Sequence, residues 1–346
     1  MNIYRLLKIA ASGKVPRFVK LICLWSMHIS GRRHIGIFLD PVLGCNLRCR
    51  MCYFSNERRR REMSGVIASG QLDCVERTFF PRALKLQIGC GAEPTLYPHL
   101  ADIVSRARKS GVPDISLVTN GQLLADRAEI LADLVKAGLN EITVSLHGTR
   151  PETYEYLMPG AEYARLTALL NALHNIKQSI CPQLKVRLNF TVNTMNMHDL
   201  EGNLFRNPWP EGFRPDVVQL RPVQNMGSTA WTDYDSGALK SHYEATFGNV
   251  AAYCRAHGIT CIAPTLEQID EVVTPQDSVS ALIEDITYCY ISPKSAYKQD
   301  FNLGSDSFEA YHRRHHTARR LLMAAFFNRD NSRRRNASKK LNYNIK

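Results

Sequence analysis

The sequence predicts an α/β fold: a partial (β/α)6 barrel of the TIM type, preceded by an N-terminal helical segment and followed by a small α+β C-terminal extension. Three observations predict it. Six short apolar runs alternate with helical stretches between residues 34 and 225, the pattern of parallel strands with covering helices. The unusual polar and glycine-rich clusters fall at the carboxyl ends of those runs, the face that carries the active site in barrels. After residue 225 the rhythm stops. Consecutive βα units connect right-handedly, as an open sheet or curling toward a barrel; polar groups gathered at one set of strand ends select the barrel.

Residues 1–33 contain the apolar run Leu21-Ile22-Cys23-Leu24-Trp25 with Arg5 and Lys8 upstream. Lys14, Arg17 and Lys20 interrupt it, no run approaches the ~20 residues of a membrane span, and no small-residue cleavage site follows. This segment reads as a basic amphipathic helix, packed on the outside of the barrel or lying on a membrane surface. The strands are expected at residues 34–40, 84–89, 115–119, 141–147, 184–192 and 217–222. The helices between them are expected near 71–80, at 99–110, at 123–137 and at 161–177, two of them stopped by Gly111 and Gly138. Residues 34–225 form the barrel. In the extension, 226–327, a polar loop at 226–237 leads to a helix over 238–257, a short strand at 258–263 and a last helix over 307–327. Residues 328–346, with five arginines and lysines between Arg333 and Lys340, read as a disordered basic tail.

A length of 346 residues, 45% hydrophobic and 22% charged, suits one barrel with appendages and a sizeable core. Ten cysteines are present, and Cys23, Cys74, Cys90, Cys181, Cys254 and Cys261 are scattered without paired spacing, which points to a reducing cytoplasm and not a disulfide framework. The net charge of +12 is concentrated in Arg58–Arg61, Arg313-Arg314-His315-His316 and Arg333–Arg335. Solvated faces account for it; the alternative is an acidic partner such as a phosphorylated sugar, an anionic lipid surface or RNA. No interleaved aromatic pattern accompanies the charge, so nucleic acid is not expected.

The chemistry begins at Cys45, Cys49 and Cys52, spaced x3 and x2 just after the first strand. An iron–sulfur cluster is held by cysteine thiolates, and a four-iron cluster with three protein ligands leaves one iron open. Structural zinc is the competing reading, but it brings its ligands in two pairs and no partner pair follows. At the second strand end stands Gly89-Cys-Gly91-Ala92-Glu93-Pro94, whose glycines let a ligand approach the backbone and whose acid could accept from an ammonium group; a plain turn with a surface glutamate is the alternative. Ser145 shares a strand face with His147, and Arg187 with Asn189. They suit contacts with a ribose or a carboxylate, or are hydrogen-bonded interior groups.

Cys45-x3-Cys49-x2-Cys52-Tyr53, then Gly91-Ala-Glu93-Pro94, Thr119-Asn120-Gly121 and Ser145-Leu-His147-Gly148, in that order over residues 34–225, resemble the radical S-adenosylmethionine (SAM) enzyme superfamily. The resemblance implies that Cys45, Cys49 and Cys52 ligate one [4Fe–4S] cluster whose fourth iron takes SAM. It implies that backbone around Gly91, Ala92 and Glu93 binds the methionine ammonium, that Ser145 and Asn189 hold ribose or carboxylate, and that Tyr53 and Leu220 flank adenine. The family's Gly-Gly-Glu is here Gly-Ala-Glu; binding survives this if Ala92 does not need a positive φ.

The implied activity is reductive cleavage of SAM to a 5′-deoxyadenosyl radical that abstracts hydrogen from a peptide, protein or carbohydrate-type substrate. The electron would come from a reductant protein such as flavodoxin or ferredoxin. A non-catalytic iron–sulfur or zinc protein is the alternative. The segment around Cys289 resembles the end of a SPASM or twitch extension. Only Cys254, Cys261 and Cys289 follow residue 226, against the four ligands of a complete cluster, so the extension is read as degenerate. The expected location is the cytoplasm, with contact at a membrane surface through the N-terminal helix.

Overall fold

The computed structural model describes residues 15–225, 229–269 and 278–327. The basic tail and the first fourteen residues of the N-terminal segment lie outside the described residues. Helix α1 (Arg17–Ile29) leads into strand β1 (Ile35–Leu39), followed by a small hairpin of β2 (Val42–Leu43) and β3 (Gly65–Val66). Next come α2 (Glu57–Glu62), inside that hairpin, then α3 (Ser69–Phe79), β4 (Ala83–Ile88), α4 (Leu100–Lys109), β5 (Asp114–Thr119), α5 (Ala128–Ala137) and β6 (Glu141–Ser145). Helices α6 (Pro151–Leu157) and α7 (Tyr163–Ser179) precede β7 (Lys185–Val192) and β8 (Val217–Pro222). The remaining elements are α8 (Ser236–Ser241), α9 (Asn249–Ala256), β9 (Thr260–Ile262), α10 (Ser278–Thr287), β10 (Tyr288–Ser292), β11 (Ser295–Tyr297), α11 (Phe308–Arg314) and α12 (Thr317–Phe326).

One nine-stranded sheet runs in the order β11-β10-β1-β4-β5-β6-β7-β8-β9. All its pairs are parallel except β10 with β11. The six predicted strands are its middle, and the segment after residue 226 adds β9 at one edge and β10 and β11 at the other. Cys261 on the edge strand β9 and Cys289 on β10, next to the other edge strand, therefore stand toward opposite ends of the sheet, with six strands between them.

Alternation makes the sheet two-faced. On β7, Val186, Leu188, Phe190 and Val192 are buried, and on β8 so are Val218 and Leu220; these join the core with Leu166, Leu169, Leu170 and Leu173 of α7, spaced on one helix face. The opposite face is polar. There Glu141, Thr143 and Ser145 stand in register with Lys185, Arg187 and Asn189, and Asn189 and Thr191 with Gln219 and Arg221.

Helix α1 packs Leu21 and Leu24 against Ile286 of α10 and Leu321 of α12 in a small second core. The expected helix over 238–257 is three pieces, α8, a π-helical turn at Glu244–Gly248, and α9; Thr246 Oγ1 donates to the His242 carbonyl at 2.7 Å, a back-bond that bends helices. The expected helix over 307–327 is α11 and α12, broken where His316 takes a left-handed φ of 50°. Helix α5 begins at Ala128 instead of 123, because Leu124 N–H and Arg127 N–H donate to Gly121 and Leu124 in successive turns.

Candidate active site

The cysteine loop leaves the end of β1 and is pinned from below by backbone. Arg48 N–H donates to Pro159 O and Arg50 N–H to Leu157 O, both at 3.0 Å, and Cys52 N–H to Cys49 O at 2.9 Å. Met51 packs on Leu157 and Trp231. The three thiols are free and half-buried. Burial, then the charges of Glu93 and Cys52, push Cys45 up to about 12. Burial followed by its two sister thiols holds Cys49 well above its ordinary value, and burial also raises Cys52. Three neighbouring cysteines are a soft donor set that would hold an iron–sulfur cluster as thiolates, so a cluster bound there has to displace the protons that burial retains. Among the described residues no three His, Cys, Asp or Glu side chains converge to hold a single metal ion. A cluster that binds each thiol at a different iron needs no such convergence.

The second strand end is built around two buried carboxylates. Gly89 turns the chain with φ +84°, where an added Cβ would lie 2.3 Å from Val118 O. Asp40 then accepts from Cys90 N–H at 2.7 Å, from Gly91 N–H at 3.1 Å and from Tyr290 Oη at 2.9 Å, and from Ala92 N–H. Burial raises Asp40 and these donors pull it back. Glu93, 2% exposed, accepts from Thr95 N–H at 3.1 Å, Thr95 Oγ1 at 2.5 Å, Thr119 Oγ1 at 2.6 Å and Asn120 N–H at 2.8 Å. Its carboxylate is thus committed to the protein, joining the ends of β4 and β5. The Tyr53 hydroxyl donates to Gly91 O, linking this loop to the cysteine loop, and Asn120 Nδ2 reaches Cys45 Sγ at 3.9 Å. Among described non-glycine residues only Tyr297 and His316 have positive φ, so Ala92 meets the condition set for it.

At the third group of strand ends, Ser145 and Asn189 are in register, with Gln219 beside them. Asn189 Oδ1 is buried with no partner, as expected of a group that awaits a ligand hydroxyl. Arg187 pairs with Glu141 at 2.7 Å and reaches Gln219 at 3.3 Å, so it serves the polar face from within. His147 Nδ1 accepts from Thr191 N–H at 3.1 Å; burial, then the Arg221 charge, lowers it to about 4 and keeps it neutral. Gly148 sits where an added Cβ would be 2.4 Å from Tyr154 N, which explains a glycine there by close approach. Leu220, one position from Gln219, points to the opposite, apolar face. The fold therefore gathers Cys45, Cys49, Cys52, Tyr53, Gly91, Ala92 and Glu93 in one linked loop system and pairs Ser145 with Asn189, while the Leu220 side chain is in the core. Asp40 and Tyr290 are additions; an acid closing an apolar strand is the one signal in the sequence that could have found Asp40.

Residues 40–201 match the family model described as the Radical SAM superfamily. That segment is similar to the domain of an enzyme superfamily that works with a [4Fe–4S] cluster and SAM. Its similar proteins include the GTP 3′,8-cyclase of Picosynechococcus sp., 27% identical over 222 residues, which are 62% of this chain and 65% of that one. A probable GTP 3′,8-cyclase of Saccharolobus islandicus is 31% identical over 202 residues, covering 55% and 58%. The chain spans less than two thirds of the length of these relatives. In fold it is similar to Streptococcus suis SuiB, solved bound to S-adenosylmethionine, with TM-score 0.55 and 16% identity over 81% of this chain and 65% of that one. The largely parallel sheet agrees with that likeness.

Proposed function

We propose that the protein is a radical SAM enzyme in which Cys45, Cys49 and Cys52 ligate one [4Fe–4S] cluster and the neighbouring strand ends hold SAM. The observation that carries this reading is a loop of three half-buried thiols tied through Tyr53 to the Gly-Ala-Glu-Pro turn. With cluster and SAM bound, the chemistry supplied is one-electron cleavage of SAM to methionine and a 5′-deoxyadenosyl radical, which takes hydrogen from the substrate.

The chain's own part is placement. With the N–H groups of Cys90, Gly91 and Ala92 turned to Asp40, backbone carbonyls of the 91–93 turn accept the ammonium of SAM. Asn189 Oδ1 and Ser145 take ribose hydroxyl or carboxylate groups. Tyr53 flanks adenine, and Leu220 does so through its backbone. A flavodoxin- or ferredoxin-type protein supplies the electron. The substrate is a peptide, protein or carbohydrate-type molecule, met by the polar face that carries Gln219 and Arg221. The likeness to GTP 3′,8-cyclases supports a second reading, a nucleoside triphosphate.

The placement of Cys261 and Cys289 toward opposite ends of the sheet supports an extension without an auxiliary cluster. The free thiols suit the cytoplasm. Phe18 and Ile29 of α1 and Met323 and Phe326 of α12, all exposed, support peripheral membrane contact, and no described helix is long and apolar enough to cross a membrane. Flotation with anionic liposomes, with and without residues 1–30, tests that contact; equal behaviour removes it.

Anaerobic incubation with SAM and dithionite tests the activity. The expected result is 5′-deoxyadenosine well above a Cys49→Ala control, and equal amounts would support a non-catalytic cluster or zinc protein. Stimulation by added GTP would favour the second substrate reading.

A further inference from the structure

The polar face of the sheet is layered toward the carboxyl ends of its strands. Ser145, Asn189 and Gln219 stand side by side in register, and two residues further along each chain come His147, Thr191 and Arg221. Thr191 and Arg221 are in register with each other and share the face of Asn189 and Gln219 by alternation. His147, just past the end of β6, joins them because its Nδ1 accepts from Thr191 N–H at 3.1 Å. The layer borders accessible space: Thr191 and Arg221 are half-buried, while Phe190, Val192 and Leu220 beside them in sequence are buried.

This outer layer is fixed before any ligand arrives. Asn196 Nδ2 donates to the carbonyls of His147 and Thr191, both at 2.9 Å. Asp199, the acid of the following turn, accepts from Thr149 N–H at 2.8 Å and pairs with Arg150 at 2.6 Å, so its charge is committed there. Burial, then the Arg221 charge, holds the imidazole neutral against an opposing pull from the Leu146 carbonyl. With Nδ1 used as an acceptor, the proton of the neutral ring sits on Nε2. His147 thus brings an N–H donor without charge, and Arg221 brings donors, a positive charge and no acceptor.

We propose that His147 Nε2 and the Arg221 guanidinium bind an anionic oxygen group of the substrate, a carboxylate or a phosphate. The inference rests on the function proposed above and narrows the substrate class that reading names. Donors select an acceptor, and the guanidinium selects an anionic one, for which its planar fork is the matching shape. Position selects the substrate: the Ser145 and Asn189 layer and the 91–93 turn are assigned to SAM, and the His147 and Arg221 layer is the next one outward at the same strand ends.

The test uses the full-length reconstituted protein loaded with SAM, and calorimetry with inorganic pyrophosphate, malonate and uncharged glucose as probes. At least one of the two anions should bind, more weakly at high salt, and glucose should not. Tighter pyrophosphate assigns a phosphorylated substrate, and tighter malonate a carboxylate. Arg221→Gln and His147→Leu should each weaken the preferred anion about tenfold, and His147→Gln, which restores an N–H donor near the position of Nε2, should recover most of the loss. Arg221→Gln decides alone if His147→Leu does not fold. Binding of neither anion, or equal affinity in Arg221→Gln, overturns the proposal. So does a tenfold loss of SAM affinity in Arg221→Gln, since the pair would then serve the carboxylate of SAM. Failure of the unaltered protein to cleave SAM with dithionite would count against the enzymatic reading, whereas the anion titration needs no turnover and decides the site by itself.

Discussion

Tyr290 Oη donates to Asp40 Oδ2 at 2.9 Å across 250 positions of sequence. Through this bond a strand of the C-terminal segment steadies the carboxylate that gathers the backbone of Cys90, Gly91 and Ala92. Replacing the carboxylate by an amide, Asp40→Asn, turns a donor toward donors, a cost of about 1–3 kcal/mol. The expected result is SAM affinity lowered about tenfold with iron content retained; Tyr290→Phe should have a smaller effect in the same direction. Binding calorimetry beside iron analysis checks both, and unchanged affinity in Asp40→Asn would remove the role assigned to it.

Glu93→Gln puts an NH2 group where the carboxylate accepts four hydrogen bonds from Thr95, Thr119 and Asn120. Loss of a buried, charge-assisted acceptor costs about 1–3 kcal/mol, read as a lower urea midpoint. A variant as stable as the parent would show that the join between the ends of β4 and β5 contributes nothing.

Gly89→Ala should destabilise by about 1–3 kcal/mol, because its φ is +84° and the new Cβ would meet the Val118 carbonyl. Thermal melting measures this directly. Gly70, with open space around its Cβ position, is the control and should tolerate alanine.

Three histidines join α1, the residue before β1 and α11. His28 Nδ1 lies 3.2 Å from His34 Nε2, and His312 bonds Tyr297 and Thr317, each at 2.9 Å. Burial, then His34 and Arg82, lowers His28 to about 4; burial, then His28, His34 and Lys298, lowers His312 to about 3; burial lowers His34. Glu309, paired with Arg82, offsets part of this at His28. Folded-state values below the ordinary 6.5 mean the unfolded chain binds more protons, so this contribution is full above pH 6.5 and is lost as pH falls toward 4. The melting temperature should drop between pH 7 and 5, and less steeply in His28→Gln. Identical pH slopes would contradict the assignment.

The sequence discloses those parts of the fold whose cause is local. Val-Arg-Leu-Asn-Phe-Thr-Val announces β7 because one face meets helices and the other polar neighbours, and the Cys45, Cys49, Cys52 spacing announces a ligand cup. Asp40 shows in the sequence only as an acid closing an apolar strand, because its partners lie 50 and 250 residues away. Glu93 suggests an ammonium acceptor from its place in the turn, yet Thr119 and Asn120 of the next strand end absorb the carboxylate. The break between α11 and α12 carries no glycine or proline; the left-handed His316 is exposed, donating its N–H to Arg313 O and accepting from Arg320 N–H. Strand β10, five residues long, is a strand through its pairing with the distant β1 and with the short β11.

In the proposed enzyme Cys45, Cys49 and Cys52 would hold one iron–sulfur cluster, and Cys254, Cys261 and Cys289 would hold none. Iron and sulfide analysis after anaerobic reconstitution tests this assignment most directly. The account predicts about four irons and four sulfides per chain, lost in Cys45→Ala, Cys49→Ala and Cys52→Ala and kept in Cys254→Ala, Cys261→Ala and Cys289→Ala. Iron that survives loss of the first three thiols, or about eight irons per chain, would contradict it.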